Sequence, residues 1–110
     1  MKLSIRENEI ILDCFNAILS GKFLWESELH TRIGLDRVEI ECAVSHWPNL
    51  DEYNLVDALA VSGCLRDSLN DIDEKDWREW IKASQDEVEQ LLKKWNALVD
   101  WEELMKGKKV

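Results

Sequence analysis

Four carboxylates fall within one short segment of the second half of the chain: Asp71, Asp73, Glu74 and Asp76. Carboxylate oxygens at alternating positions are the ligands that Ca²⁺ prefers. An EF-hand loop, however, needs oxygen ligands at its first, third and fifth positions and a glycine at the sixth. Counted from Asp71, the fifth residue is Lys75 and the sixth is Asp76. The spacing therefore indicates a solvated acidic turn and no calcium site.

Sulfur and imidazole ligands are the next candidates. Cys42 and His46 are four residues apart on a predicted helix, so their side chains share one face. A zinc site needs four such ligands, or three and a water molecule. His30 is the only other histidine, and Cys14 and Cys64 lie far away in the sequence. We therefore predict no metal site and no cofactor.

Catalytic motifs give no support for an enzyme. The chain contains no GxSxG, no phosphate-binding P-loop and no HExxH. The cysteines, Cys14, Cys42 and Cys64, are odd in number, lack CxxC spacing and lie among apolar residues at helical intervals. This pattern predicts reduced, buried thiols in a cytoplasmic protein. We expect a non-enzymatic protein.

The acidic turn belongs to a longer acidic segment, Asp67 to Glu89. It holds nine acidic and three basic residues, a net charge of −6 against −9 for the whole chain. Trp77 and Trp80 lie three apart inside it, on one side of a short predicted helix. They either pack against the following helix or form an aromatic anchor within an acidic rim, since binding hot spots favour tryptophan. The predicted partner-binding residues are Asp71, Asp73, Glu74, Asp76 and Glu79 for electrostatic steering and Trp77 as anchor.

Size and charge narrow the class of partner. The 110 residues suit one domain, and an apolar fraction of 45% is typical of a globular protein. A pI of about 4.7 argues against nonspecific nucleic-acid binding and against anionic membranes, because both depend on lysine and arginine. No apolar run approaches the ~20 residues that span a bilayer. An acidic protein is instead attracted to a partner with a basic surface.

Helix signals divide the first half of the chain into three elements. Ser4 and Glu7 have the spacing of a capping box, which predicts the start of a first helix, and Gly21 fits the left-handed position beyond its end. A second helix is predicted from Trp25 to Ile33 and ends at Gly34. A third is capped by Asp36 and stops near His46, because the residue before Pro48 avoids helical geometry.

The second half contains further helix signals. Asp51 is expected to open a fourth helix, and Gly63 lies on its apolar face, where it would permit close approach of a neighbour. After a turn at Asn70 to Asp73, a short helix is predicted from Glu74 to Lys82. Ser84 begins a last helix that continues toward Met105 and leaves a frayed basic tail, 106–110. No strand pattern is present. The sequence predicts an all-α, compact single-domain bundle of five or six helices.

The segment from Trp25 to Trp47 has the outline of a helix-turn-helix, with Gly34 in the turn. The helix that would enter the major groove begins with Asp36, Glu39 and Glu41 against a single Arg37. Because these carboxylates would be repelled by phosphates, a tri-helical packing unit is the preferred interpretation.

Several motifs of helix-end residues and core aromatic residues also resemble those of small uncharacterised bacterial helical proteins of similar length. They are His30 to Gly34, Trp47-Pro48, Trp77 to Ile81 and Ser84 to Trp95. This resemblance spans most of the chain and implies a helical fold. It implies no activity and no functional residues.

The sequence therefore favours a non-enzymatic, acidic protein-binding module. Its most concrete form is an immunity or antitoxin-like inhibitor of a basic partner such as a toxin nuclease. The alternatives are a degenerate helix-turn-helix transcriptional regulator, a structural or adaptor protein, and a small enzyme or metal-dependent factor. A homodimer formed through exposed aromatic residues is compatible with each of them.

Overall fold

The computed structural model describes residues 3–106. In this range the chain forms seven α-helices and no strand. They are α1 (Ile5–Leu19), α2 (Glu26–Ile33), α3 (Arg37–His46), α4 (Leu55–Asp71), α5 (Glu74–Trp80), α6 (Gln85–Leu98) and α7 (Trp101–Lys106). The predicted all-α single domain is confirmed, with one or two more helices than expected. Of the predicted basic tail, residues 107–110 lie outside the described range, and Lys106 is the last residue of α7.

Local capping fixes where most helices begin and end. Both predicted capping boxes are present: Ser4 Oγ accepts from the Glu7 amide at 3.0 Å, and Ser84 Oγ accepts from the Glu87 amide at 3.1 Å. Asp36 caps α3 in the same way. Gly34 ends α2 with φ 89°, a backbone conformation that other residues avoid. These caps define the helices from local sequence alone.

Two helix boundaries differ most from the prediction. The fourth helix begins at Leu55 and not near Asp51, because Asn54 caps it and Asp51 instead accepts from the Tyr53 amide at 2.9 Å. The last predicted helix is interrupted at Val99, which has extended backbone angles. A new helix then begins beyond Asp100, whose Oδ1 accepts from the Glu103 amide at 3.1 Å.

The core is built around α4, which packs against α1, α2, α3 and α6. Gly63 of α4 lies against Ile33 of α2, and a Cβ at this glycine would be only 2.5 Å from Ile33 Cγ2. The predicted close approach at Gly63 is therefore confirmed. Trp95 of α6 is 1% exposed and fills the centre of the bundle, as its place in the apolar stripe predicts.

The cysteines follow the prediction only in part. All three are free thiols, and Cys14 and Cys64 are buried. Burial raises the pKa of Cys14 to about 12 and the pKa of Cys64 well above its ordinary value, so neither is a reactive thiolate. Cys42 is exposed, and the expectation of a third buried thiol is wrong. It lies one turn from Val38, which is 72% exposed, on the outward face of α3.

None of the helices in residues 3–106 combines the length and apolar character needed to span a membrane.

Candidate partner-binding surface

The acidic segment connects the end of α4 to the start of α6. It begins in the last turn of α4, continues through α5 and ends in the first turn of α6. The turn predicted at Asn70 to Asp73 is shorter than expected, because α4 continues through Asp71. Ile72, which follows it, is 4% exposed and fixes the junction to the core. The segment is thus held in regular structure.

Trp77 does not face a partner. Its side chain is 5% exposed, and its indole N–H donates to the Ala83 carbonyl at 2.6 Å. The predicted role of Trp77 as an anchor is therefore wrong: its side chain is part of the core, and α5 packs against α1. Trp80 is half-buried, and its ring meets Phe23 edge to face with 5.6 Å between ring centroids. Both tryptophans bind α5 to the rest of the fold.

Asp71 is not a free carboxylate. Its Oδ2 accepts from Arg32 Nη2 of α2 at 2.8 Å, and the same nitrogen lies 3.4 Å from Asp67 Oδ1. Asp71 raises the pKa of Arg32 through this hydrogen bond, and the charge of Asp67 adds to the effect. Asp71 therefore positions α2 beside the end of α4 and is partly neutralised as a steering charge.

Asp67, Asp71, Arg32 and Arg66 form a cluster of charged side chains, in which Asp67 is the most deeply buried. It is 1% exposed, its Oδ1 lies 3.4 Å from Arg66 Nε, and its Oδ2 has no hydrogen-bond partner among the described residues. Burial raises the pKa of Asp67, and the nearby guanidinium groups of Arg66 and Arg32 oppose that rise without cancelling it. Its ionisation therefore weakens the folded state.

This cluster predicts a pH-dependent stability. A carboxyl whose pKa is raised by folding stabilises the folded state fully below its unfolded pKa of about 4, and this contribution is lost as the pH rises through the folded-state pKa. Asp67→Asn cannot ionise and is close in size. We expect the difference in unfolding free energy between the variant and wild type to favour the variant more near pH 7 than near pH 3.5. Urea denaturation at the two pH values measures this, and an equal difference at both would contradict it.

The exposed face of α5 carries both signs of charge. Glu74 and Arg78 lie one turn apart, as do Lys75 and Glu79, and all four are exposed. The acidic excess at this end comes from Asp73, which is exposed, and Asp76, which is half-buried. Three acidic residues near the start of the helix also stabilise it, because their negative charges interact favourably with the positive end of the helix macrodipole. The predicted steering residues of α5 are thus at the surface, but the surface is less acidic than the sequence suggests.

An open cleft of about 570 Å³ separates α5 from the start of α6. Trp77 and Ile81 form its buried floor. Glu74, Arg78 and Glu87 lie along its rim. Because the rim mixes both signs of charge, the cleft favours no class of small ligand.

Two side-chain contacts connect the region of α2 to the region of α5, in antiparallel order. Phe23, before α2, contacts Trp80 at the end of α5, and Arg32 near the end of α2 pairs with Asp71 before α5. The first turn of α2 adds two exposed carboxylates beside an exposed tryptophan, Trp25. We call the outward residues of these two helices the α2–α5 surface: Trp25, Glu26, Glu28, Asp73, Glu74, Asp76 and Glu79.

Trp25 is one of three tryptophans, with Trp47 and Trp101, that lie near predicted helix ends, where the sequence does not decide between burial and exposure. It is four residues before Leu29, so helical spacing alone would place it on the buried stripe with Leu29 and Ile33. The structure instead leaves it 71% exposed, because its extended backbone (φ −71°, ψ 144°) turns it out of the helical path at the start of α2. No sequence signal predicts this orientation.

The helix-turn-helix outline is present in α2, Gly34 and α3. Arg37, which would have to face phosphates, donates from Nη1 to the Leu19 carbonyl at 2.8 Å. Its Nε lies 3.3 Å from Glu41 and 3.7 Å from Glu26. Since this guanidinium is already paired, α3 presents a surface that phosphates would avoid.

The residues considered as metal ligands, Cys42 and His46, are not part of a metal site. His46 Nδ1 lies 2.8 Å from Asp57 Oδ1, so this ring nitrogen is hydrogen-bonded to the first turn of α4. Within residues 3–106, no three or more histidine, cysteine or acidic side chains are grouped to hold a metal ion.

Comparisons of the chain with protein-family models, with curated proteins and with solved structures find no match. The resemblance to small bacterial helical proteins therefore stays a prediction. The function has to be argued from the chemistry of the surfaces.

Proposed function

We propose that this chain is a non-enzymatic binding module that recognises a protein with a basic surface. The observation that carries the proposal is an exposed tryptophan, Trp25, next to two exposed carboxylates at the start of α2, together with a second group of exposed carboxylates on α5. In its most concrete form, the module is an immunity or antitoxin-like inhibitor that covers the phosphate-binding face of a toxin nuclease.

The exposed tryptophan supports a binding role. An indole that is 71% exposed leaves a large apolar area in water, whereas burial at an interface would remove it. Tryptophan is also enriched among the few residues that dominate binding energy. A lysine or arginine of the partner could in addition lie over the indole face, an interaction worth about 0.5–2 kcal/mol.

The carboxylates support a basic partner. Glu26 and Glu28 begin α2 next to Trp25, and Asp73 and Glu74 begin α5 toward the end of α2, where Asp71 meets Arg32, so four exposed carboxylates are held on regular structure. Charges of one sign on a partner attract the opposite sign at long range and raise the association rate. In this proposal Asp76 and Glu79 add to the same field, and Trp77 serves only to hold α5.

The test separates anchoring from steering. The chain is immobilised, a partner is captured from a host lysate and purified, and its association is followed by surface plasmon resonance at low and high salt. Trp25→Ala should weaken affinity at least about tenfold, mainly through faster dissociation. Reversal of Asp73, Glu74 and Asp76 to lysine should slow association about tenfold at low salt and flatten its salt dependence.

A matched control keeps the overall charge change constant. Glu89, Glu102 and Glu103 are exposed on α6 and α7, so their reversal to lysine changes the net charge equally at another place. It should leave association nearly unchanged. Equal effects of both triple variants, or full binding by Trp25→Ala, would sink the assignment of the α2–α5 surface. Inhibition of a captured basic nuclease would support the immunity form.

A further inference from the structure

One arginine connects the starts of α2 and α3 at the surface. Arg37 Nε lies 3.7 Å from Glu26 Oε1 of α2 and 3.3 Å from Glu41 Oε2 of its own helix. The same guanidinium donates from Nη1 to the Leu19 carbonyl at the end of α1, at 2.8 Å. Because these contacts hold the two helix starts together, their exposed residues belong to one region of the surface.

Each residue of the Glu26–Arg37 ion pair has an exposed apolar neighbour in the chain. Trp25 precedes Glu26 and is 71% exposed, and Val38 follows Arg37 and is 72% exposed. Even with both charged side chains fully extended, the Cα atoms of Trp25 and Val38 lie within about 21 Å of each other, since consecutive Cα atoms are about 3.8 Å apart. A helix of about 14 residues has this length, at a rise of about 1.5 Å per residue. One helix of a partner is therefore long enough to contact both side chains.

The outward face of α3 continues this apolar region by one turn. Cys42 follows Val38 by four residues, so the two side chains share a face of the helix. Of the three cysteines, only Cys42 is exposed. The Trp25 side chain makes no hydrogen bond or ring contact within residues 3–106. These three side chains are therefore available to a partner.

The charge around these side chains is negative. The starts of α2 and α3, together with the next turn of α3, carry five acidic residues and one basic residue, a net charge of −4. These residues are Glu26, Glu28, Asp36, Glu39 and Glu41 against Arg37. Lys22, which precedes α2, lies over the rings of Phe23 and Trp80, at 5.9 Å and 6.0 Å from their centroids. A region with apolar side chains and negative charge is complementary to a partner segment that carries both apolar and basic side chains.

We propose that the starts of α2 and α3 bind a basic amphipathic helix of the partner. The apolar face of that helix packs on Trp25 and Val38, and its lysines or arginines face Glu28 and the net negative charge around Arg37. Contact with Val38 also covers Cys42, one turn away. The inference rests on the proposed function and specifies the kind of segment that the partner presents to this part of the surface.

A synthetic helix serves as the probe. It is a peptide of leucine and lysine, about 14 residues long, with all leucines on one helical face. A second peptide has the same composition and charge in an order that forms no apolar face. In ¹H–¹⁵N NMR titrations of the whole chain, the amphipathic peptide should bind at least about tenfold more tightly than the second peptide, because only its leucines bury apolar area together. It should shift the Trp25 indole and the Val38 amide.

The thiol of Cys42 gives an independent measurement. Cys14 and Cys64 are buried, and burial raises the pKa of both thiols, so iodoacetamide should label Cys42 alone in the folded chain. At saturation, the amphipathic peptide should slow this labelling at least about fivefold, since a covered thiol reacts slowly.

Variants assign the affinity to this region. Val38→Ser and Trp25→Ala should each weaken binding of the amphipathic peptide about tenfold, because each removes apolar area from the contact. Both positions are exposed, so the variants should fold. Ile5→Ser is the matched control: it removes an apolar side chain that is 81% exposed at the other end of α1 from Leu19, and binding should be unchanged.

Three results would overturn this inference. They are equal binding of the two peptides, equal effects of Val38→Ser and Ile5→Ser, and full reactivity of Cys42 in the complex. Failure of the proposed function is distinguishable from these results, because it is read from the captured partner. If Trp25→Ala weakens that partner's binding while Val38→Ser has no effect on the peptide, the proposed function stands and the helix-binding inference is wrong.

Discussion

Trp95→Ala is expected to lower the free energy of unfolding by about 3–5 kcal/mol, the cost usual for deleting a buried large aromatic side chain. Trp95 is the largest fully buried side chain of the described residues, and it is 1% exposed. It lies where α6 packs on α4, and its indole N–H donates to the Ala58 carbonyl at 3.1 Å. The variant would leave a cavity and an acceptor without its donor. The free energy of unfolding of a small domain is about 5–15 kcal/mol in total, so this loss would be a large share of it.

Urea denaturation followed by circular dichroism measures this loss. Trp101→Ala is the matched control, because this tryptophan is only partly buried at the start of α7. It should cost about 1 kcal/mol or less, as is usual for substitutions near the surface. A loss below about 1 kcal/mol for Trp95→Ala would contradict the placement of this side chain at the centre of the bundle.

Gly63→Ala is expected to destabilise the protein by about 1–3 kcal/mol, although alanine is favoured over glycine by about 1 kcal/mol in a helix interior. The reason is the close approach of α2 and α4. A Cβ at Gly63 would lie 2.5 Å from Ile33 Cγ2 and 3.0 Å from Ile33 Cγ1, distances that force one helix to move. The steric cost should therefore exceed the gain in helix propensity. Thermal and urea unfolding of the variant measure the sign directly.

A double variant shows whether Ile33 causes this loss. Ile33→Ala removes both γ carbons and is destabilising by itself, but it should make Gly63→Ala much less costly, with a coupling energy of about 1 kcal/mol or more. Asn70→Ala, at an exposed position of the same helix, should change stability by less than about 0.5 kcal/mol. A stabilising Gly63→Ala, or strict additivity with Ile33→Ala, would show that the contact is looser than the structure indicates.

Much of the fold could be predicted because helix ends are local events. Ser4, Asp36 and Ser84 each satisfy the amide three residues later, so a short segment of sequence is enough to place the start of a helix. Pro48 and Gly34 act in the same local way. The predictions failed where two local signals compete, as at Asp51 and Asn54, or where an internal acidic residue such as Asp100 begins a new helix.

The candidate surface could be predicted only in part. The charges of Asp73, Glu74 and Glu79 lie at the surface as expected, since helix position predicts exposure. The predicted anchor, Trp77, was wrong, because Trp77 and Trp25 both have spacing that fits a buried stripe. Which of them contacts the core depends on how α5 and the start of α2 pack.

By itself, the sequence determined the helical class, most helix ends, the burial of Trp95 and the acidic character of the protein, because periodicity, capping and composition act over a few residues. The tertiary structure alone decided that Trp77 is buried, that Trp25 is exposed and that Asp71 is paired with Arg32. It also decided that positive side chains interrupt the acidic face of α5. The physical reason is that the exposure and pairing of a side chain depend on neighbours brought together by packing, and a single helix cannot specify those neighbours.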